Sequence, residues 1–474
     1  MTGLYRKILF ATAHSLILGA SLAVASPARA EGPGSGEVTA VSLAPSGGKA
    51  EVVIAVRGAV DVRDFVLASP DRLVLDVVGA KLSDAAPAVY DGVKRGGVVN
   101  LRYSQFRPDI VRIVIDLDAP KAYEVERRGE SIRIAFGSDQ GYLIGGLDYL
   151  FYQGVAWDKP QDGLAIPMIL FATYQGMFAI ITPALISGAF AERMKFTGYL
   201  LFLVLWSTLV YSPICHWVWG GGWLGARGVH DFAGGTVVHI SSGVAALAAA
   251  LVIGKRKGYP ETAMIPHNLP WCVLGAGILW FGWFGFNGGS ALASNGVAAL
   301  AFTTTHLAAA TAALTWLALE HFLRKQGTML GFATGAVAGL VGITPAAGFV
   351  SPLGAVVIGA ATSCACYLFV SKKEKLGYDD SLDAFGVHGV GGTVGAILTG
   401  VFCLQPLYLG EGDIDRAGLI VKQVAGAGVT IVYAFIVSFI LLKIVDATVG
   451  LRVPEDVEET GLDVSLHGES GYTD

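Results

Sequence analysis

The sequence contains little charge, and its cysteines follow no recognisable pattern. Only 15% of the 474 residues are Asp, Glu, Lys or Arg, whereas 53% are hydrophobic and 63 are glycine. This composition excludes an ordinary soluble domain and is typical of membrane helices, which approach one another closely through small residues. The five cysteines fall in apolar stretches and form neither a zinc pattern nor a disulfide framework, so packing explains them better.

The sequence also lacks a basic run that would indicate nucleic acid as a partner, and its formal net charge is only -5. No nucleophile–base pair or metal-ligand cluster appears outside the apolar stretches. We therefore expect no nucleic-acid partner, no cofactor and no enzymatic activity.

The first thirty residues predict a signal peptide. Arg6 and Lys7 precede an apolar run at 8–25, and Ala28-Arg29-Ala30 offers small residues at a cleavage site. An uncleaved anchor helix is the alternative. Both interpretations place the next segment outside the cytoplasm.

Residues 37–137 predict an all-β sandwich domain. Short β-branched or alternating runs recur between Gly, Pro, Asp and Ser residues, a pattern typical of antiparallel sandwiches. These runs lie at 38–43, 51–56, 72–77, 111–117 and 131–136. The segments from Phe65 to Asp76 and from Tyr103 to Asp116 resemble the AMIN domain, a periplasmic β module associated with binding peptidoglycan. A domain that serves only as a spacer is the alternative.

After a linker at 138–164, residues 165–447 predict an all-α polytopic membrane bundle. Several long stretches contain no Asp, Glu, Lys or Arg, and a span needs about 20 apolar residues. Divided at their Gly, Pro and Asn breaks, these stretches predict nine helices near 165–190, 196–217, 232–254, 269–290, 296–322, 328–345, 350–371, 384–405 and 417–446.

The charges of the loops predict the orientation of these helices. Lys and Arg concentrate in alternate loops, at 193–195, 255–257, 324–325 and 372–375, whereas the intervening loops carry few. Positively charged loops remain in the cytoplasm. The N-terminus is therefore predicted outside and the C-terminal tail at 448–474 inside, which agrees with an exported β domain.

Two aspartates in the apolar part are each followed eight residues later by a histidine. Asp231 precedes His239, and Asp380 precedes His388. Ionisable side chains at bilayer depth are costly and usually face the bundle interior or a pathway, and a repeated motif indicates an internal repeat. We interpret the histidines as pore residues and the aspartates as helix caps with a structural or electrostatic role.

Aromatic residues cluster at the outer ends of several predicted helices. An interfacial aromatic belt and a cation–π funnel for a small cation explain them equally well. They are Tyr174, Phe178, Trp217, Trp219, Trp223, Trp280, Trp283, Phe284 and Phe286.

Motifs from about Gly141 to the C-terminus are similar to the ammonium transporter (Amt/Mep/Rh) family. They are Phe178 to Arg193, His216 to Gly222, Asp231 to His239, Trp283 to Ser290, Gly342 to Pro345, Phe385 to Gly389, Gly450 to Asp456 and Gly461 to Val464. The resemblance implies ammonium transport. An ammonium ion would lose its proton near an outer site, ammonia would cross an apolar lumen, and histidines would carry the proton.

The resemblance also implies roles for individual residues. The outer ammonium site would consist of Trp219, Ser290, Tyr174 and Phe178. The stacked rings of Phe178 and Phe286 would gate the pore, and His239 and His388 would line it as a twin-histidine pair. Asp231 would hold the outer site together, and Asp380 or Asp383 the cytoplasmic mouth.

The sequence departs from the family at its N-terminal side. The family has two inverted repeats of five helices and an eleventh helix, and here the signal peptide and β domain stand where the first two helices are expected. A non-conducting ammonium sensor or scaffold, anchored to peptidoglycan, is therefore an alternative to a transporter, and an unstable recombined product is a third. The family further implies a homotrimer and a PII-type signal protein at the cytoplasmic side. The signal peptide and the periplasmic type of β domain predict the bacterial inner membrane.

Overall fold

The computed structural model describes residues 36–46, 49–67, 71–83, 98–117, 123–136, 149–153, 155–158, 160, 165–407 and 413–471. These residues form two compact units, a β unit and a helical unit. The predicted signal peptide and most of the predicted linker lie outside the described residues.

Two sheets make up the β unit. Its strands are β1 Gly36–Ser46, β2 Lys49–Arg57, β3 Asp61–Leu67, β4 Arg72–Val78, β5 Ala80–Leu82, β6 Val98–Arg107, β7 Ile110–Leu117, β8 Tyr123–Arg128 and β9 Ser131–Phe136. One sheet has the order β5-β1-β2-β9-β8 and the other β3-β4-β7-β6. The predicted all-β sandwich is confirmed.

One strand pair departs from the predicted antiparallel arrangement, because β1 and β5 pair in parallel. The chain leaves β4 at Gly79, whose φ of 80° is readily adopted only by glycine, and continues into the other sheet as β5. The core lies between the sheets, where alternate residues such as Ile54, Leu75 and Ile113 are fully buried.

Nine apolar helices make up the membrane part of the described residues. They are α1 Met168–Ala189, α2 Phe196–Ala226, α3 Gly235–Ile253, α4 Leu269–Ala291, α5 Gly296–Arg324, α6 Met329–Ile343, α7 Pro352–Lys372, α8 Phe385–Phe402 and α9 Arg416–Thr448. All except α6 are long and apolar enough to cross a membrane. The predicted helical membrane bundle is confirmed.

Helix α6 is shorter than the predicted span at 328–345. Pro345 has no N–H to donate to the carbonyl of Val341, and Thr344 N donates to that oxygen instead, at 3.2 Å. The chain then forms a series of turns before α7 begins. Polar side chains fix the starts of other helices by accepting hydrogen bonds from free backbone N–H groups. These caps are Asn268, Asn295, Thr328, Ser351 and Asp415.

Successive helices run in opposite directions and give the helical unit two ends. The loop at 227–234 and Ser290 lie at one end, which we call the aromatic end. The loops at 190–195, 254–268 and 373–384 lie at the other, the tail end, together with the chain after α9. Helix α3 therefore enters from the aromatic end and α8 from the tail end.

Glycines allow α3 and α8 to cross in close contact. A Cβ at Gly243 would lie 2.0 Å from the backbone nitrogen of Gly389, and one at Gly392 would lie 2.8 Å from the carbonyl oxygen of Gly235. No other residue fits at such a crossing without displacing backbone. This contact brings the histidine-bearing turns of the two helices together.

Candidate functional site

His239 and His388 meet inside the helical unit. The side chain of His239 is 0% exposed and that of His388 9% exposed. Their Nδ1 atoms are 3.2 Å apart, and their rings are stacked with centroids 5.2 Å apart. Because one Nδ1 must donate and the other accept, two neutral imidazoles here take complementary tautomers.

Each histidine lies in a turn of π-helix that begins its segment of the bundle. These turns are Gly235–Ile240 and Phe385–Gly389. Such turns are uncommon and are frequent at functional sites. The two turns start at nearly the same distance after Asp231 and Asp380, so the repeated sequence motif corresponds to a repeated structure.

Asp231 and Asp380 accept backbone hydrogen bonds at the starts of these turns. The carboxylate of Asp231 accepts from the N–H groups of residues 234 to 237 at 2.7–3.0 Å. That of Asp380 accepts from Ala384 N at 3.0 Å and Phe385 N at 2.7 Å. The negative charge of a carboxylate is also stabilised at a helix N-terminus by the helix dipole. Both residues therefore hold the histidine-bearing turns in position.

Burial changes the acidity of these carboxyl groups. It raises the pKa of Asp231 above its ordinary value, and the four backbone N–H groups oppose part of this rise. Burial, with the negative charge of Asp383, raises the pKa of Asp380 to about 6. Burial likewise raises the pKa of Asp383, although Lys373 acts against it through an ion pair at 2.7 Å.

A line of aromatic rings leads from the aromatic end to the histidines. The ring of Phe178 lies 5.5 Å from Trp219 and 4.7 Å from Phe286, measured between centroids. Phe286 is stacked on His239 at 5.8 Å, and Trp283 is stacked on the same imidazole at 5.3 Å. These rings, which come from different helices, form one continuous row with the histidine pair.

The two rings expected to form a stacked gate are inclined instead. The planes of Phe178 and Phe286 make an angle of 62°, whereas Phe286 and His239 are inclined by only 15°. Phe178 also contacts Tyr174 and Trp219 edge-on, at 5.1 and 5.5 Å. Its orientation satisfies all three neighbours, so the rings meet edge to face, an arrangement that aromatic pairs prefer to a sandwich.

Tyr174 and Ser290 are brought together beside this row. The Tyr174 hydroxyl lies 3.1 Å from Ser290 Oγ and 2.5 Å from the carbonyl oxygen of Phe286. Trp219 is fixed by its indole N–H, which donates to the backbone carbonyl of Asp231 at 2.7 Å. All four residues predicted for an outer site therefore lie at the aromatic end.

The Nε2 atom of His239 is buried and has no hydrogen-bond partner among the described residues. Leaving such a group unpaired is costly unless something polar can reach it. Trp283, beside it, has its indole N–H paired with Thr344 Oγ1 at 2.9 Å. Among the described residues, no group of three His, Cys, Asp or Glu side chains could hold a metal ion.

A buried charged network at the tail end was not predicted. Arg193 is 0% exposed and donates to the carbonyls of Ala189 and Asp379 at 3.0 and 2.7 Å. Arg256 forms an ion pair with Asp379 at 2.9 Å and another with Glu192. Although burial alone would raise the pKa of Asp379, Arg256 lowers it below its ordinary value. These arginines were interpreted only as loop charges, and the sequence carries no local signal of their pairing.

The chain after α9 docks onto the loops of the tail end. Lys195 N donates to the carbonyl of Leu451 at 2.7 Å, and Val453 N donates to that of Arg193 at 3.1 Å. Arg452 pairs with Glu458 at 2.8 Å. Glu458 in turn accepts from Lys257 N at 2.9 Å. The predicted tail is thus ordered against the bundle as far as the described residues extend.

Comparison with known proteins agrees with this geometry. The Ammonium Transporter Family model matches residues 133–472, and the AMIN domain model matches residues 40–136. The chain is 51% identical to an ammonium transporter of Bacillus subtilis over 336 residues, which cover 70% of this chain and 83% of that protein. It is 47% identical to the ammonium transporter Amt1 of Archaeoglobus fulgidus over 342 residues, covering 72% and 85%.

Solved structures of ammonium transporter family proteins are also similar to this chain. The Saccharomyces cerevisiae Mep2 structure has a TM-score of 0.62 and 39% identity, over 67% of this chain and 76% of that chain. A structure described as a sensor Amt protein has a TM-score of 0.63 and 32% identity, over 70% and 83%. The chain therefore belongs to the ammonium transporter family and carries an AMIN domain ahead of its membrane part.

Proposed function

We propose that this protein transports ammonium across the bacterial inner membrane through the row of rings and the histidine pair. The observation that carries the proposal is the 3.2 Å contact between the Nδ1 atoms of His239 and His388, directly beyond Phe286. The named relatives are ammonium transporters, and a charged ion cannot cross such an apolar passage cheaply.

Recruitment of ammonium is assigned to the aromatic end. The indole of Trp219 and the ring of Phe178 would offer π faces to the cation, and Ser290 Oγ and the Tyr174 hydroxyl would accept its hydrogen bonds. These groups replace part of the water around the ion. Potassium would gain the same π contacts, but it has no proton to release, so it could not continue as a neutral molecule.

Passage beyond the gate requires the proton and ammonia to separate. Phe178 and Phe286 would tilt aside to admit ammonia. The facing Nδ1 atoms of His239 and His388 would pass a proton between the rings by exchanging tautomers, and His239 Nε2 would receive a hydrogen bond or proton from the incoming molecule. The carboxylates of Asp231 and Asp380 would keep both turns in place.

The test is methylammonium uptake in cells without their own ammonium transporters. We expect uptake by this protein and a decrease of roughly tenfold or more in His388→Ala, since a barrier increase of about 1.4 kcal/mol already has that effect. His321→Ala removes an exposed histidine of α5 and serves as the matched control. Normal uptake by His388→Ala, at equal membrane abundance, would contradict the proposed route.

A second candidate function is a non-conducting sensor or scaffold. The similarity to a structure described as a sensor Amt protein favours it, as does the ordered tail, which would present a surface to a PII-type signal protein. We expect a sensor to show no uptake while ammonium still alters its intrinsic tryptophan fluorescence, with the response lost in Trp219→Leu. Measurable uptake excludes this candidate.

The AMIN domain is proposed to bind peptidoglycan through the outer face of its four-stranded sheet. There the guanidinium carbon of Arg112 lies 3.5 Å from the ring centroid of Phe106 and 5.6 Å from that of Phe65. Two hydrogen bonds of 2.7 Å to Asp76 fix the guanidinium. Exposed rings beside a fixed cation suit a polymer that combines sugar rings with carboxylates.

The assembly is proposed to be a homotrimer, with the AMIN domain in the periplasm and the tail in the cytoplasm. Helix α4 is the least buried of the long apolar helices, so most of its surface is open to contact by lipid or by another copy of the chain. On the adjacent α5, the exposed His306 lies ten residues from the helix start, or about 15 Å along the axis. An ionisable group at that depth favours contact with protein over contact with lipid.

A further inference from the structure

The turn that ends α6 contacts the chain at the start of the His239-bearing turn. It consists of residues 342–345, a motif that has no part in the proposed ammonium route. A Cβ at Gly235, where the His239-bearing turn begins, would lie 2.6 Å from Cδ of Pro345. The carbonyl of Pro345 also accepts a hydrogen bond from Phe232 N at 3.1 Å. The end of α6 therefore supports this part of α3 from one side.

Thr344, in the same turn, faces Trp283 as a hydrogen-bond acceptor. Its side chain is 0% exposed, and its hydroxyl donates to the carbonyl of Leu340 at 2.7 Å. A hydroxyl has one hydrogen to donate and two lone pairs that accept. Because that hydrogen is used within α6, Oγ1 is left as an acceptor, and the indole N–H of Trp283 donates to it at 2.9 Å.

The ring that Thr344 holds lies against the imidazole of His239. The planes of Trp283 and His239 are inclined by only 22°, with the centroids 5.3 Å apart. Phe286 is stacked on both, 5.1 Å from Trp283 and 5.8 Å from His239. Trp283 is 3% exposed, and the N–H is the one polar group of its side chain. The bond to Thr344 therefore leaves this wall of the route without a free donor.

A free indole N–H at this position would interfere with the transfer of ammonia. Ammonia accepts hydrogen bonds through its lone pair, and His239 Nε2 is buried without a partner among the described residues. A buried donor that has lost its acceptor is costly to leave unpaired. A freed Trp283 N–H would therefore bind the passing ammonia or turn toward His239, and both events would slow the release of ammonia.

We propose that Thr344 is a positioning residue for ammonium transport, which accepts the indole N–H of Trp283 and so holds this ring against His239 with no free donor. The inference rests on the proposed transport function and adds a residue to it. Thr344 acts through Trp283. Its hydroxyl, rather than its size, is the property that matters.

The test is the kinetics of methylammonium uptake per transporter molecule, in cells without their own ammonium transporters. Thr344→Val keeps the shape of the side chain and removes the acceptor. We expect its maximal rate to fall about fivefold with no rise in KM, a size that corresponds to one hydrogen bond. Thr344→Ser keeps Oγ and should recover most of the native rate. In Trp283→Phe, which has no N–H, adding Thr344→Val should cause no further loss.

A second buried pair of indole and hydroxyl provides the matched control. Trp206 Nε1 donates to Ser438 Oγ at 2.9 Å between α2 and α9, and both side chains are 0% exposed. Ser438→Ala therefore removes an acceptor of the same kind away from the histidines. We expect it to lower the thermal midpoint but to leave the maximal rate per molecule and KM unchanged.

Three results would overturn the inference. Thr344→Val could transport as the native chain does, Ser438→Ala could slow transport equally, or the losses in Thr344→Val and Trp283→Phe could multiply in the double variant. Multiplied losses would mean that Thr344 acts on packing alone. No uptake by the native chain would overturn the transport function as well, whereas native uptake with one of these results overturns the inference alone. Thr344→Ala, which also lacks the acceptor, replaces Thr344→Val if the latter does not accumulate.

Discussion

Asp231 and Asp380 perform the same structural task at opposite ends of the helical unit, in different electrostatic surroundings. Asp231 accepts four backbone hydrogen bonds. Asp380 accepts two and lies near a second carboxylate, Asp383, which raises its pKa further. The protonation of the tail-end aspartate, Asp380, therefore changes near pH 6.

We predict that Asp380→Asn removes a pH dependence of stability between about pH 4 and pH 6. The pKa of Asp380 is about 6 in the folded protein against an ordinary value of 3.8. In this interval the folded protein holds a proton that the unfolded chain has released. The stabilisation is thus complete below pH 3.8 and is lost as the pH rises through 6. The thermal unfolding midpoints of the native protein and of Asp380→Asn are measured in detergent across this pH range. If both midpoints depend on pH in the same way, Asp380 is not the group that titrates.

At the scale of single residues, the sequence singled out the two histidines that lie in contact, but it did not predict the charged network. His239 and His388 share a spacing from an aspartate, which is a local signal. Arg193 and Asp379 are 186 residues apart, and both occur in loops where charges are expected in any membrane protein. Only the fold brings them together.

Between elements, the decisive contacts are the glycine crossings that place α3 against α8. The sequence predicted most helix ends to within a few residues, because the polar caps and charge-free runs are local features. It did not predict strand β3, whose side chains are almost all exposed, so that no alternation of polar and apolar residues reveals it. Which glycines lie at crossings also depends on packing that no local pattern encodes.

We predict that Gly243→Ala separates the two histidine-bearing turns and abolishes most uptake. Its Cβ would lie 2.0 Å from Gly389 N, and overpacking of this kind costs about 1–3 kcal/mol. Gly275→Ala is the control, because a Cβ there, on the exposed helix α4, meets no atom within 4 Å. Methylammonium uptake and the thermal midpoint are measured for both. If the two variants have the same uptake and the same thermal midpoint, the contact between α3 and α8 accommodates a Cβ at position 243, and the prediction is wrong.

At the scale of the whole molecule, the two units have different proposed tasks. We expect a substitution that impairs the task of one unit to leave that of the other unchanged. The β unit has its own core of buried residues between its two sheets. The helical unit contains every residue proposed for ammonium transport. Damage to the outer face of the four-stranded sheet should therefore leave transport intact while affecting attachment to the cell wall.

We predict that Arg112→Ala reduces binding of the full-length protein to insoluble peptidoglycan while methylammonium uptake is unchanged. The substitution removes the cation between Phe65 and Phe106 and leaves the Asp76 carboxylate without its partner. Arg57→Ala removes an equal charge from an exposed position on the other sheet and should bind normally. Co-sedimentation measures binding. Equal sedimentation of both variants would place the peptidoglycan site elsewhere.

The π-helical turns give the eight-residue interval between each aspartate and its histidine a mechanical meaning. A π turn accommodates one residue more than the corresponding α turn. Deleting a residue inside Gly235–Ile240 would let the turn rewind as α-helix, and the helix that follows would keep its rotation relative to its cap. The wide turn that carries His239 would be lost, although the helices on both sides of it remained in place. The position of this imidazole therefore depends on the number of residues in the turn as well as on which residues they are.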